Sequence, residues 1–110
     1  MVKDYNILIK HILECIEKIQ EYTGLMTEAE FYNSTQVQDA VIRRIEIIGE
    51  AAKNIAPDIK SKYPDIPWKQ ISGMRDMLIH EYFGVDLQLT WKVAREDIIE
   101  LKNKIQRIVK

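Results

Sequence analysis

The sequence is poor in the residues that cross-link or interrupt a small fold. Its 110 residues include one cysteine, three prolines and four glycines. The single cysteine, Cys15, excludes an internal disulfide framework and a zinc site built from several cysteines. A chain of this length buries about two thirds of its unfolded surface, which is enough for a core without either device. We therefore expect one helical domain over residues 1–110, held together by apolar packing.

Long hydrophobic runs and an excess of one charge are missing as well. No apolar run approaches the roughly 18 residues of a membrane span, and the N-terminus lacks the hydrophobic core of a signal peptide. We therefore expect a cytoplasmic protein with no membrane partner. The formal net charge is −1, so the chain as a whole does not attract nucleic acid electrostatically. Any RNA binding would need a local site.

Apolar residues recur at spacings of three and four, which is the period of a helix. Three long stripes share this spacing: Tyr5, Leu8, Ile9, Ile12, Ile16 and Ile19; Val37, Val41, Ile45, Ile48, Ala52 and Ile55; and Leu87, Trp91, Ala94, Ile98, Leu101, Ile105 and Ile108. Thr27 with Glu30 has the spacing of a capping box, and Ser34 and Asp86 are suitable N-caps for the helices that follow them. The pattern predicts an all-α, up-down four-helix bundle with short additional helices.

The fourth predicted helix runs from Trp68 to Phe83. Asp65 is its expected cap, Pro67 lies near its first position, and Gly84 is its expected stop. Its net charge is close to zero, whereas a helix-turn-helix protein reads DNA with a basic recognition helix. We therefore expect no DNA partner.

This predicted helix carries a dense group of polar side chains near its C-terminal end. Asp76 and His80 are four residues apart, so they would be neighbours on one face. Arg75 and His80 would diverge by about 140° around the axis of a regular helix. A groove completed by a second protomer would bring the guanidinium and the imidazole together, which favours a homodimer.

The spacing of Arg75, four residues, His80, one residue and Tyr82 resembles the Arg-x(4–6)-His-x-Tyr signature of HepT-like toxins in the HEPN superfamily. The segments Ile48-Gly49-Glu50-Ala51 and Trp68-Lys69-Gln70-Ile71 resemble the same family, and the resemblance covers essentially the whole chain. It implies a HEPN-like homodimer that cleaves RNA with neither metal nor another cofactor. Arg75 and His80 of both subunits would line a cleft at the interface. Guanidinium binds phosphate oxygens in pairs, and imidazole transfers protons near neutral pH.

The resemblance also implies supporting residues and a partner. Asp76 would fix the tautomer of His80, and Glu50 would support Arg75. HepT-like toxins belong to type VII toxin-antitoxin systems, in which a minimal nucleotidyltransferase antitoxin transfers AMP to the tyrosine of the signature. By position that tyrosine is Tyr82. A phosphate group there would compete for the cation that binds RNA.

His80, Arg75 and Tyr82 each also have a purely structural interpretation. His80 could be an ordinary histidine near a helix C-terminus, Arg75 could pair with Glu46 or Glu50, and Tyr82 could be a half-buried core aromatic residue. A second functional hypothesis is a non-catalytic helical module that binds nucleotide, or positions substrate, for a nucleotidyltransferase. Such modules tend to lack the complete Arg…His pair, which this chain keeps.

The chain contains two histidines, His11 and His80. A di-iron carboxylate bundle needs paired Glu-x-x-His segments, and neither histidine has a glutamate three positions before it. That class is therefore excluded. His11 lies among charged residues of the first helix, so we expect it to be solvated, whereas Cys15 lies near the apolar stripe and is expected to pack in the core.

Overall fold

A computed structural model describes residues 5–80 and 84–108, with His80 described for its backbone alone. The elements in this part of the chain are α1 (Tyr5–Thr23), α2 (Glu28–Tyr32), α3 (Thr35–Lys53), α4 (Pro57–Lys62), α5 (Trp68–Ser72), α6 (Met74–Leu78), β1 (Ile79–His80), β2 (Gly84–Val85), α7 (Leu87–Lys92) and α8 (Ile98–Ile105). A π-helical turn over Val93–Asp97 joins α7 to α8. The predicted all-α class is confirmed.

The predicted helix starts are confirmed where a side chain caps the backbone. The Thr27 hydroxyl accepts a hydrogen bond from the backbone N–H of Glu30, and the Glu30 carboxylate accepts from the N–H of Thr27, which completes a capping box. Ser34 and Asp86 each accept from the N–H three residues further on. These caps depend on short segments of sequence alone, so they can be predicted without the tertiary structure.

The three predicted apolar stripes form one core. α1 packs along α3, α5 and α6 pack against α3, and α8 with its π turn packs against α1. Cys15 is fully buried, as predicted, within this cluster. Phe31 on α2 is buried too, and its ring centroid lies 5.3 Å from that of Trp91. In the described ranges, none of the helices is both long and apolar enough to cross a membrane.

The segment between Pro57 and Pro67 contains a short helix followed by a turn at Pro64 and Asp65. Pro57 begins the short helix α4, because its fixed backbone angle suits a first helical position. The predicted capping role of Asp65 is wrong: Pro67 is the N-cap residue of α5 and makes no side-chain capping bond. The Asp65 carboxylate instead forms an ion pair with Arg107. Because Asp65 and Arg107 are 42 residues apart in sequence, no local pattern predicts this pair.

The predicted continuous helix from Trp68 to Phe83 is wrong. Gly73 divides it, because this residue is both the C-cap of α5 and the N-cap of α6. α6 then ends at Leu78. In a continued helix the Leu78 carbonyl would accept from residue 82, but it accepts from the backbone N–H of Asp86 at 2.7 Å. The Leu78 carbonyl therefore bonds to a residue beyond the hairpin.

A short antiparallel hairpin follows α6. Ile79 pairs with Val85, and His80 pairs with Gly84. Gly84, expected to stop a helix, has a φ of +78° in this hairpin, a backbone conformation that glycine adopts at little cost. Residues 81–83, including the last positions of the predicted helix, lie outside the described residues.

Candidate active site

Arg75 lies on α6 and reaches across to α3. Its Nε lies 2.7 Å from Oε2 of Glu46, and its Nη1 lies 3.7 Å from Oδ1 of Asp76 on its own helix. Of the two ion-pair partners considered from the sequence, the structure pairs Arg75 with Glu46. The Arg75 side chain keeps 46% of its surface exposed, so the pairing leaves the guanidinium accessible to a ligand.

Glu46 holds a second arginine on the same carboxylate. Nη1 of Arg43 lies 2.5 Å from Oε1 of Glu46, and Arg75 binds the other oxygen. The hydrogen bond from Arg43 is the largest cause that lowers the pKa of Glu46 below its ordinary value of 4.5; burial opposes it, and the positive charge of Arg75 lowers the pKa further. The ionised carboxylate is thus favoured in the folded state. Its contribution to stability is complete above the ordinary pKa and is lost as the pH falls through the lowered value.

Arg43, Glu46 and Arg75 line an open cleft of about 580 Å³ between α1, α3 and α6. We call it the Glu46 cleft. Glu50 on α3 and Asp76 on α6 line it too. The structure therefore brings Arg75, Asp76 and Glu50, three of the residues selected from the sequence, into one cleft.

Two side chains of this cleft, Arg43 and His11, were not predicted from the sequence to belong to a site. Arg43 was assigned no role, and His11 was expected only to be solvated. His11 is exposed as predicted, but it also lines the Glu46 cleft from α1. Arg43 and Glu46 have the i,i+3 spacing of neighbours on one helix, so the sequence could have indicated that contact. The packing of α1 and α6 on α3, which brings His11 and Arg75 to the cleft, has no such signal within one helix.

Gly49 sets the distance between α3 and the helix that leads into α6. A Cβ at this position would lie 3.2 Å from the carbonyl oxygens of both Ile71 and Ser72. The absence of a side chain therefore lets the end of α5 approach the α3 backbone closely. This contact fixes where α6 starts, and hence where Arg75 meets Glu46.

The relation between Asp76 and His80 changes with the end of α6. Because the helix stops at Leu78, the two residues are not one helical turn apart, and the angle of about 140° expected between Arg75 and His80 in a regular helix does not apply. The backbone of His80 lies in β1 and pairs with Gly84. The role of Asp76 in orienting the His80 imidazole stays a prediction, but the four-residue spacing of the two residues no longer supports it. Tyr82 lies outside the described residues.

Within the described part of the chain, no group of three or more His, Cys, Asp or Glu residues is arranged to hold a metal ion. Three ionisable groups of the Glu46 cleft, Arg43, Glu46 and Arg75, are instead paired with one another. The arrangement offers guanidinium groups to an anionic ligand.

The family model described as "Ribonuclease HepT-like" matches residues 12–108. The chain belongs to the HepT-like ribonuclease family. This confirms the predicted family and, with it, the predicted enzyme class of a ribonuclease. Arg75, His80 and Tyr82 all lie within the matched residues.

Two relatives show how far the similarity of this HepT-like chain extends. The chain is 56% identical over 109 residues to a Methanocaldococcus jannaschii protein named "Gamma-glutamylcyclotransferase and putative RNase". The matched region covers 99% of this chain but 49% of that protein, so the chain spans about half the length of this relative. It is 47% identical over 108 residues to the "Probable ribonuclease HepT" of Thermococcus cleftensis, which covers 98% of this chain and 96% of the relative. No solved structure matches the chain.

Proposed function

We propose that this HepT-like chain is a metal-independent endoribonuclease that acts as the toxin of a type VII toxin-antitoxin system in the cytoplasm. The observation that carries the proposal is Arg75: the arginine of the family signature is half-exposed in the Glu46 cleft, with its Nε 2.7 Å from a carboxylate oxygen. The pairing orients the group, and its exposure leaves room for an RNA phosphate.

The chemistry requires a cation and a proton carrier. The RNA 2′-hydroxyl attacks the adjacent phosphorus, its proton passes to the imidazole of His80, and the bond from phosphorus to the 5′-oxygen breaks. The imidazolium gives this proton to the leaving 5′-oxygen, so the products carry a 2′,3′-cyclic phosphate and a 5′-hydroxyl. Arg75 stabilises the additional negative charge on the phosphorane oxygens, which is the role that guanidinium geometry suits best.

We place this reaction at the interface of a homodimer. One protomer supplies one Arg75 and one His80, which is a small number of groups for phosphoryl chemistry. A two-fold axis next to α6 and the hairpin would double both sets and close the Glu46 cleft on its open side. Asp76 and Glu50, which line the cleft, are proposed as the acidic residues that support the imidazole and the guanidinium.

The purified protein is expected to cleave RNA in the presence of EDTA. His80→Ala should lower the rate about 10²–10⁴-fold, because it removes the proton carrier. Gel analysis of a labelled RNA, with the cyclic phosphate end identified by mass, measures both. Wild-type-like activity of His80→Ala would contradict the mechanism. RNA binding without cleavage by the wild type would favour the alternative of a binding module for a nucleotidyltransferase.

Tyr82 is the proposed site of control by a partner. The phenolic oxygen attacks the α-phosphorus of a nucleoside triphosphate, ATP; pyrophosphate leaves and the phenolic proton is released, so the tyrosine carries a phosphodiester with a negative charge. Since Tyr82 and Arg75 belong to one signature, this phosphate would compete with RNA for the guanidinium and repel the RNA backbone. The partner proposed on the family resemblance is a minimal nucleotidyltransferase antitoxin.

Tyr82→Phe is expected to stay toxic when the nucleotidyltransferase is co-expressed, because the variant lacks the oxygen that accepts AMP. Wild-type protein should arrest growth alone and lose its toxicity with the partner. Colony counts after induction measure both effects, and intact mass shows whether AMP is added. Full neutralisation of Tyr82→Phe would rule out modification at this residue.

A further inference from the structure

Two arginines of the Glu46 cleft share one carboxylate. Arg43 Nη1 lies 2.5 Å from Oε1 of Glu46, and Arg75 Nε lies 2.7 Å from Oε2. Both side chains are accessible, with 67% of Arg43 and 46% of Arg75 exposed. Glu46 therefore holds two guanidinium groups side by side at the surface of one cleft.

A carboxylate and a phosphate present similar pairs of oxygens to a guanidinium group, and both form bidentate contacts with it. Exposed ion pairs contribute little, about 0–1 kcal/mol, because water competes for both partners. Arg43 has five N–H donors and uses Nη1 on Glu46, so other donors stay available for a second anion. The pair can thus bind phosphate while Glu46 keeps the two arginines together.

The charge balance of the cleft argues for contact rather than long-range attraction. Its charged lining residues are three cations and three anions: Arg43, Lys53 and Arg75, and Glu46, Glu50 and Asp76. A cleft with this balance does not concentrate RNA from a distance. Binding there requires direct hydrogen bonds from the guanidinium groups to phosphate oxygens.

We propose that Arg43 is a second phosphate-binding residue of the RNA site, and that Glu46, which binds both guanidinium groups, is the positioning residue of Arg75. Arg75 binds the phosphate that is cleaved, and Arg43 binds a neighbouring phosphate of the same single strand. This inference rests on the proposed ribonuclease function. It extends the site from the signature segment to α3.

The salt dependence of RNA binding tests the role of Arg43. The probe is a 2′-O-methyl RNA oligonucleotide, which lacks the attacking hydroxyl and is not cleaved. For a single strand, each phosphate contact contributes about 0.7 to the slope of log K against log salt concentration. Arg43→Gln should reduce that slope by about 0.7 and weaken binding about tenfold or more, as expected for a lost hydrogen bond to a charged group. With cleavable RNA, KM should rise more than kcat falls.

Lys18→Gln is the matched control. Lys18 pairs with Glu21 three residues away on α1, just as Arg43 pairs with Glu46 on α3, and it does not line the Glu46 cleft. The control loses the same charge from the same kind of ion pair, so its salt slope and KM should match the wild type. Equal slopes for Arg43→Gln and Lys18→Gln, in a protein that cleaves RNA, would overturn the role of Arg43.

Glu46→Gln separates positioning from binding. Removing the carboxylate removes an anion that competes with phosphate, so RNA binding should be retained or tightened, whereas kcat should fall because Arg75 loses its ionic partner. Unchanged kcat would overturn the positioning role. Absence of cleavage by the wild type would instead overturn the proposed function, and this inference with it.

Discussion

Replacing Arg75 with glutamine is expected to lower the rate of RNA cleavage about 10²–10³-fold, the usual cost of removing one donor that stabilises transition-state charge. The Arg75 guanidinium binds Glu46 through Nε, and the residue lines the Glu46 cleft. Glutamine keeps neither the charge nor the forked geometry. The loss should appear mainly in kcat, because the charge develops in the transition state.

Arg75→Lys sharpens this prediction. Lysine keeps the positive charge but has one donor atom, so it cannot bind Glu46 and two phosphate oxygens through separate nitrogens. We expect it to recover only a small part of the lost activity, staying at least about tenfold below the wild type. Single-turnover cleavage assays at saturating protein measure the difference. Full activity of Arg75→Lys would show that charge alone is sufficient.

The fold of both Arg75 variants should be preserved. The Arg75–Glu46 pair is exposed, and such pairs contribute about 0–1 kcal/mol to stability. Thermal unfolding should therefore change little while activity falls strongly. If either variant were much less stable than the wild type, unfolding would explain the lost activity, and the proposed catalytic role of Arg75 would be contradicted.

Replacing Gly49 with valine is expected to lower the free energy of unfolding by about 1–3 kcal/mol, as inserting side-chain atoms into a close-packed contact does. The Cβ alone would lie 3.2 Å from the carbonyl oxygens of Ile71 and Ser72, and two further methyl groups must fit beyond it. α5 would have to move away from α3. For a chain of this size the unfolding temperature should fall by roughly 5–20 °C.

Gly49→Ala is the matched control for this change. Alanine favours a helix over glycine by about 1 kcal/mol, which offsets the cost of a Cβ that requires a shift of a few tenths of an ångström. Gly49→Ala should therefore stay within about 1 kcal/mol of the wild type. Calorimetry compares the variants, and cleavage at a temperature where all are folded tests the site. Equal stability of the valine variant and the wild type would contradict the close contact of α3 and α5.

The sequence predicted the helices well where periodicity and caps act over short distances. The stripe on α3 is buried as expected, and Ser34 caps this helix through a bond to a residue three positions away. The signature spacing of Arg75 and His80 likewise identified the family. These features can be predicted without the tertiary structure, because each depends on neighbouring residues or on a pattern within one segment.

The end of α6 could not be predicted in the same way. Apolar spacing continues through Leu78, so periodicity alone extends the helix towards residue 83. The structure ends it because the N–H of Asp86 donates to the Leu78 carbonyl and Gly84 adopts a φ of +78°. Both features depend on how the hairpin folds back, and a competing long-range bond overrides helical preference.

The sequence by itself determined the all-α class, the core and the presence of an arginine-histidine signature, because hydrophobic burial and capping act on local patterns. Only the tertiary structure decided which side chains share a site. Arg43 and Glu46 pair within α3, but Arg75 on α6 joins them only because Gly49 lets α5 approach the α3 backbone. Side chains from separate helices meet through the packing of those helices, which no spacing along one segment encodes.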